Sequence, residues 1–564
     1  MPSIELKLNR LKRLVGKDLT LEQLEYDLQW IGLDVDEVLK EENAIKVEYS
    51  PNRPDFASPE GIARALKGYY GIELGLAKYN FTKGTEVMRV DPKVRKVRPY
   101  VVCGVVRNIK LDDDEVRTMM NIQEDLHWSV GRDRKKVAIG IHDYDKVRGP
   151  YKYTTVKPDG VKFRPLHMEN LEMTPKEILE EHDMGKEYAH LLEGFDEYPI
   201  IFDAEGKVVS FPPIINGVYT TVTENTRNLL LDLTGTSFEA VNLAINIIAA
   251  TFADMGAQVE MATVIYEDEP DKAFMTPNMT PKTWSVHVDY INSYLGLNIK
   301  PKEMIDCFKK CRLDARTTKD KNILEVDVPA YRNDIMHEVD FTEEVAIGYG
   351  YQNLPITIRE GGFGQYHPSE ELANLSRTIM IGAGSLEMVN SILCSQKDYE
   401  RLKILFSEKE NIIIENPVSD EYNTVRSTLL IGIMKSLNFN IPVEKPFNIF
   451  EVGDVILLDP TQDTGARREL HLAAAVHSES TDYTEIKALF DHYVKTLGVT
   501  NEIKIKTASV NGFIEGRTAE IVHGNQKIGV IGEIHPEILE NYKLDLPTAV
   551  FELNISPFFK EKVR

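Results

Sequence analysis

The chain has 564 residues, and at ~150 residues per domain that length implies several folded units rather than one small scaffold. Its 66 basic and 89 acidic residues give a formal charge of −23, while 42% hydrophobic and 9% aromatic residues suffice for globular cores. A disordered acidic protein and a generally basic nucleic-acid binder are both excluded, so any polyanion must be met by local patches or by another subunit.

The cysteines at 103, 307, 311 and 394 make neither a disulfide framework nor a paired Cys-x-x-Cys metal spacing, which points to a reducing compartment. No signal-like apolar core opens the chain, and no stretch has the length of apolar residues that a membrane span requires. A soluble, unexported protein is expected.

In chain order, the first element is a short alternating strand, Ile4 to Leu8, that runs into a helix ending at Gly16. Thr20 and Gln23 then form a capping-box start for a helix whose apolar face is Leu21, Leu24, Leu28 and Ile31. Both elements recur at an offset of about 280 residues: Ile4, Leu6, Leu8, Leu11 and Gly16 fall opposite Trp284, Val286, Val288, Ile291 and Gly296. The second helix has a counterpart in Met304, Phe308, Cys311 and Leu313, and Arg53, Asp55 and Gly68 fall opposite Arg332, Asp334 and Gly348. Two related α+β modules therefore bracket a middle region. Segments 266–284 and 358–371, rich in Pro, Gly and charge, read as linkers, which predicts domains at 1–80, 81–270, 271–357 and 358–564.

The middle region predicts a hairpin over 198–216 with Glu205 and Gly206 at its turn. A short apolar strand, Leu229 to Gly235, follows, and Thr236 with Glu239 is expected to cap the next helix. Strands around Ile412 to Ile414, Phe447 to Val452 and Leu472 to Val476, mixed with helices, predict an antiparallel sheet in the last 200 or so residues.

Two clusters carry the chemistry. Asp334, Asp340, Glu343 and Glu344 put a loop carboxylate beside a helix start, where hard oxygens suit Mg²⁺. The alternative is a capping box, Asp340 to Glu343, with acidic residues at a helix N-terminus. The first copy of the repeat helps to discriminate, because it carries Ala63 and Arg64 at the positions of Glu343 and Glu344: carboxylates needed only for capping would be kept in both copies. In the middle region Ser210, Asn216, Asp232, Thr234 and Thr236 stand at strand ends beside a helix start, either as a polar pocket or as caps and turn formers. No nucleophile elbow, Ser-His-Asp order, zinc motif or phosphate loop is present, so hydrolysis here relies on a positioned water. Cys307 and Cys311 share a helix face with core residues, His142 and His190 read as structural, and the basic runs at 10–13, 93–98 and 132–136 read as solvated surface.

The blocks Ser50 to Asp55, Ser58 to Ala65, Val328 to Ile335 and Asp340 to Ala346, taken in this order, resemble the β subunits of phenylalanyl-tRNA synthetases. Ser210 to Asn216 with Asp232 to Thr236 resembles the archaeal and eukaryotic version, in the domain that carries proofreading. The resemblance implies a cytoplasmic heterotetramer of two α and two β chains acting on tRNA(Phe), with phenylalanine activated by ATP on α. It also implies an editing-type domain at 81–270, Mg²⁺ on Asp334, Asp340, Glu343 and Glu344, and an inactive class II synthetase-like domain at 358–564. Bacterial-type β chains add an oligonucleotide-binding domain and an anticodon-binding domain for which this sequence has no room. Within the editing-type domain, Asp232, Thr234 and Asn216 are the expected catalytic residues, and Ser210, Gly235 and Thr236 the expected substrate contacts, for hydrolysis of tyrosine from mischarged tRNA. The competing expectations are a purely structural, tRNA-binding scaffold and a free-standing aminoacyl-tRNA hydrolase.

Overall fold

The computed structural model describes residues 2–168, 170–358, 361–403 and 411–559. The chain divides into two compact units, Met1–Thr357 and Ile358–Arg564.

In the first unit the repeat is realised strand by strand. Ser3–Lys7, Ala44–Tyr49 and Leu33–Leu39 form a three-stranded antiparallel sheet with Ala44–Tyr49 in the middle, and Lys282–His287, Ile323–Val328 and Asp314–Thr317 form its counterpart with Ile323–Val328 in the middle. Even the register is shared: Ser3 faces Glu48 in one copy and Thr283 faces Asp327 in the other. The helices Leu8–Val15 and Val288–Leu295 both stop at a glycine in the left-handed region, Gly16 at φ 76° and Gly296 at φ 65°, where a side chain is strained. Thr20 and Gln23 exchange the expected capping-box hydrogen bonds.

Between the modules lies a ten-stranded mixed sheet. Its edge strand Val137–Asp143 pairs with Leu229–Gly235, which also pairs with Tyr100–Arg107, so Leu229–Gly235 is covered on both edges and every residue in it is buried. That accounts for its near-continuous apolar run. The hairpin formed by Tyr198–Phe202 and Val208–Phe211 turns where predicted: Asp203 accepts from the backbone of Glu205 and Lys207, and Gly206 takes φ 78°. Helix Phe238–Asp254 buries its apolar residues against the sheet. Its N-cap is Ser237, not the expected Thr236; the Ser237 hydroxyl accepts from the Ala240 amide and donates to Glu239. Phe274–Thr276 adds to this sheet, beside Gln258–Tyr266.

The second unit has a seven-stranded sheet, antiparallel except for Leu386–Glu387, which runs parallel to Phe447–Leu458. Alternation along Ala466–His477 sends Leu472, Ala474 and Val476 toward helices Pro368–Gly382 and Tyr483–Leu497, and Ala473 and Ala475 toward helix Leu430–Phe439. The predicted strand at Ile412 to Ile414 is absent: Ile413 makes one isolated bridge to Thr424 and is 41% exposed, which gives an apolar run nothing to pack against.

Candidate active site

The central domain encloses a cavity of about 410 Å³, within the ~300–1,000 Å³ range of small-molecule sites. Its walls come from helix Asp113–Trp128, the edge strand Val137–Asp143, the turn at 210–217 and Asp232. Met119, Ile139, Ile141, Pro212 and Ile214 make them mostly apolar.

Polar groups stand in two clusters. In the first, Asp232 projects from the buried strand with 1% of its surface exposed. One carboxylate oxygen, Oδ2, lies 2.5 Å from His142 Nε2, and His142 Nδ1 lies 2.8 Å from the Thr220 hydroxyl. Beside them the Ser210 hydroxyl donates to Asn216 Oδ1 across an antiparallel pair, at 3.1 Å. In the second cluster, the backbone amide of Ile139 donates to His127 Nε2, which leaves the proton on Nδ1 facing Glu124 at 3.5 Å. Burial lowers the His127 pKa, so the ring is neutral at pH 7. Arg134, held at φ 63°, donates to the Ile214 carbonyl and to Glu124, and its guanidinium lies over the Tyr188 ring.

The structure thus brings Ser210, Asn216 and Asp232 together in one cavity and leaves Thr234, Gly235 and Thr236 out of its wall. The Thr234 hydroxyl accepts from Arg98 Nε at 2.9 Å. Arg98 is buried, donates further to the carbonyls of Thr234 and Arg134, and has its pKa pushed down to about 10 by that burial. Gly235 is a packing residue: a Cβ there would lie 2.1 Å from the Lys136 carbonyl oxygen. Thr236 donates to the Lys135 carbonyl at the surface. Sequence reasoning missed His142, His127, Glu124 and Arg134. The available signal for His142 was Gly140, two residues earlier and on the same strand face.

The expected magnesium cradle is not formed. Arg332 stands between two of its carboxylates, pairing with Asp334 through Nε and Nη2 and with both oxygens of Glu344. Asp340 accepts from the backbone amides of Met336 and His337, each at 2.7 Å, and so caps the preceding turn. Glu343 is exposed and bonds the Tyr351 hydroxyl. Among the described residues no group of three or more His, Cys, Asp or Glu side chains is placed to hold a metal ion. Arg332 already fills the space between Asp334 and Glu344, and Asp340 and Glu343 are turned to other partners, so in this arrangement the four carboxylates do not converge on a divalent cation. Cys307 and Cys311 belong to the core, with both thiols pushed up by burial and Cys311 donating to the Glu344 carbonyl. No helix of the described residues is long and apolar enough to cross a membrane.

Four family descriptions match in chain order: "Phe-tRNA synthetase beta subunit B1 domain" over 1–72, "B3/4 domain" over 114–249, "tRNA synthetase B5 domain" over 284–351, and "Phenylalanyl tRNA synthetase beta chain CLM domain" over 356–555. The phenylalanine–tRNA ligase beta subunit of Archaeoglobus fulgidus is 40% identical over 99% of this chain and 99% of its own length. That of Methanocaldococcus jannaschii is 39% identical over 98% of this chain and 100% of its own. Among solved structures, an N-terminal fragment of the phenylalanyl-tRNA synthetase beta subunit from Pyrococcus horikoshii matches 62% of this chain and 100% of the fragment, at 37% identity and a TM-score of 0.59. Modules flanking a ligand-sized cavity thus define a multidomain aminoacyl-tRNA ligase component. The chain belongs to the phenylalanine–tRNA ligase beta-subunit family.

Proposed function

We propose that this chain supports the ATP-dependent attachment of phenylalanine to tRNA(Phe) by an α partner, in a cytoplasmic α₂β₂ assembly, and that its central cavity hydrolyses Tyr-tRNA(Phe). The observation that carries the editing reading is the cavity itself: apolar walls of ligand size with polar groups in two clusters. A tyrosyl ester has the same layout, with a phenol hydroxyl at one end and the ammonium and ester at the other, separated by a ring.

The need for such a site follows from specificity. An apolar pocket rejects an isostere with one added hydroxyl by only about a hundredfold, whereas a pocket built to hydrogen-bond that hydroxyl rejects the analogue lacking it by roughly 10⁴–10⁵. Asp232 supplies a buried acceptor for the tyrosine hydroxyl, with the half-buried Asn216 beside it; phenylalanine leaves the Asp232 acceptor unpaired and is refused. Ser210 orients Asn216. Thr234 acts from behind the wall through Arg98, which positions the 131–136 turn and with it Arg134. His142 lies between Asp232 and the Thr220 hydroxyl and is assigned to holding the acceptor for the substrate; the attacking group is then a water held among fixed polar groups against the ester carbon. Deacylation of Tyr-tRNA(Phe) by the assembled enzyme carrying Asp232→Ala tests this: a loss of about a hundredfold or more is expected, and a rate equal to wild type overturns the assignment.

The α partnership is supported by the surface of the second unit. Val389, Val418 and Phe439 are 91%, 103% and 87% exposed, apolar side chains that a partner surface could cover. Its sheet arrangement suits a class II synthetase-like core, and its buried Arg426 is neutralised by Glu451. Purified alone, the chain is expected not to charge tRNA; charging by the isolated chain overturns the division of labour.

A further inference from the structure

We infer that His142 is a positioning residue of the cavity, which fixes Asp232 so that its free carboxylate oxygen, Oδ1, is presented as an acceptor to the ligand; this deepens the editing reading above and rests on it.

Strand Val137–Asp143 reads VAIGIHD, an apolar run with one histidine, and in isolation that histidine is an ordinary core residue. Register decides otherwise. Gly140 lies opposite Asp232, and His142 lies opposite Leu230 on the same strand pair, so the side chains of 140, 142 and 232 share one face of the sheet. Only a residue without a side chain fits between the other two: a Cβ at Gly140 would stand 2.5 Å from Asp232 Oδ2 and 2.7 Å from His142 Nε2. The glycine is the space that lets imidazole and carboxylate meet.

His142 is fully buried, and Thr220 and Asp232 are each 1% exposed. A carboxylate so enclosed requires a partner, and the imidazole is that partner. The Thr220 hydroxyl has one proton and two acceptors in reach, the Gly217 carbonyl at 2.9 Å and His142 Nδ1 at 2.8 Å. Given to Gly217, that proton leaves the hydroxyl oxygen to accept from Nδ1–H, with one proton shared between Nε2 and Oδ2; given to Nδ1, it leaves Nε2–H donating to Oδ2. In both arrangements Oδ1 carries no proton and is an acceptor. Among the described residues Asp232 makes its hydrogen bond through Oδ2 only, and Asp232 lines the cavity. The consequence is selectivity: an acceptor held in place by a second buried group recognises a hydroxyl donor and is left unsatisfied by an unsubstituted ring.

The test measures deacylation of Tyr-tRNA(Phe) and Phe-tRNA(Phe) by the full assembly carrying His142→Leu, His142→Gln or Asp232→Ala. Charging of phenylalanine by the same preparations reports that each complex has assembled. His142→Leu is expected to lower kcat/KM for Tyr-tRNA(Phe) by about 10–100-fold, the value of a hydrogen bond to a charged group, and to narrow the preference for tyrosine over phenylalanine by a similar factor. His142→Gln, which keeps a donor near the Nε2 position, is expected to recover most of both. A merely structural histidine would lower the rates on both esters together and leave their ratio alone. The inference is overturned if His142→Leu keeps the wild-type ratio while Asp232→Ala loses activity. If Asp232→Ala also deacylates at the wild-type rate, it is the editing reading beneath the inference that has failed.

Discussion

The two copies of the flanking module share strands, register and helix stops, yet they treat the same charged motif differently. Each carries an Arg-x-Asp fork: Arg53 grips Asp55 and Arg332 grips Asp334, in both cases with Nε on one carboxylate oxygen and Nη2 on the other. In the second copy Glu344 adds a second carboxylate to Arg332 and closes the cluster within the module. The first copy has Arg64 at the corresponding place, and Arg64 turns outward to Asp254 of the central domain, at 2.7 Å, with its guanidinium over the Tyr331 ring at 4.2 Å. A charge reversal at one repeat position therefore converts an internal clamp into a junction between domains.

That contrast sets an order of expected effects. Arg332→Leu is expected to be the most damaging, because it takes the paired guanidinium away from the buried Glu344 and from Asp334 together; a loss of about 3–5 kcal/mol in denaturant unfolding of the first unit is expected. Arg64→Leu leaves Asp254 partly solvated, with 26% of its side chain exposed, and its cost is expected to be smaller, about 1–3 kcal/mol. Equal costs would break the comparison. Gly68→Ala and Gly348→Ala sharpen it, since a Cβ would meet the Lys310 carbonyl oxygen at 2.1 Å in one copy and that of Cys307 at 2.3 Å in the other; each is expected to cost about 1–3 kcal/mol by overpacking. Thr20→Ala removes a helix cap and should cost about 1 kcal/mol, whereas Lys300→Ala at the matching position removes no acceptor and should leave the melting temperature nearly unchanged.

The fork also predicts a pH dependence. Arg332 holds the Asp334 carboxyl below its ordinary range, and a lowered folded pKa adds stability above the unfolded value of 3.8 that is lost as pH falls through the folded one. Melting temperatures measured below about pH 4 should therefore drop less for Asp334→Asn than for the wild type.

Much of this organisation was legible because it is local or repeated. The offset between copies placed Gly16 opposite Gly296 and Arg53 opposite Arg332, and capping chemistry located the helix at Thr20. The one-residue slip from Thr236 to Ser237 arose because two neighbouring hydroxyls stand equally well before Glu239. The partners of the expected magnesium carboxylates have a source in the motif itself: Arg332, two residues before Asp334, projects to the same side and pairs with its carboxylate. The partners around Asp232 were not legible, because His142 is 90 residues away and meets it only through strand pairing, while Glu124 and His127 reach the cavity from a helix distant in sequence.

Arg98 carries one more consequence. Its guanidinium reaches the carbonyls of Arg134, Lys135 and Thr234 from the interior, so the bend at 131–136 is moored to the sheet behind it. A wall anchored this way needs no ordering when a guest arrives, and little of the guest's affinity is lost to stiffening its host. The same anchorage fixes this side of the chamber, so a guest that fits poorly there gains nothing from a shift of the bend.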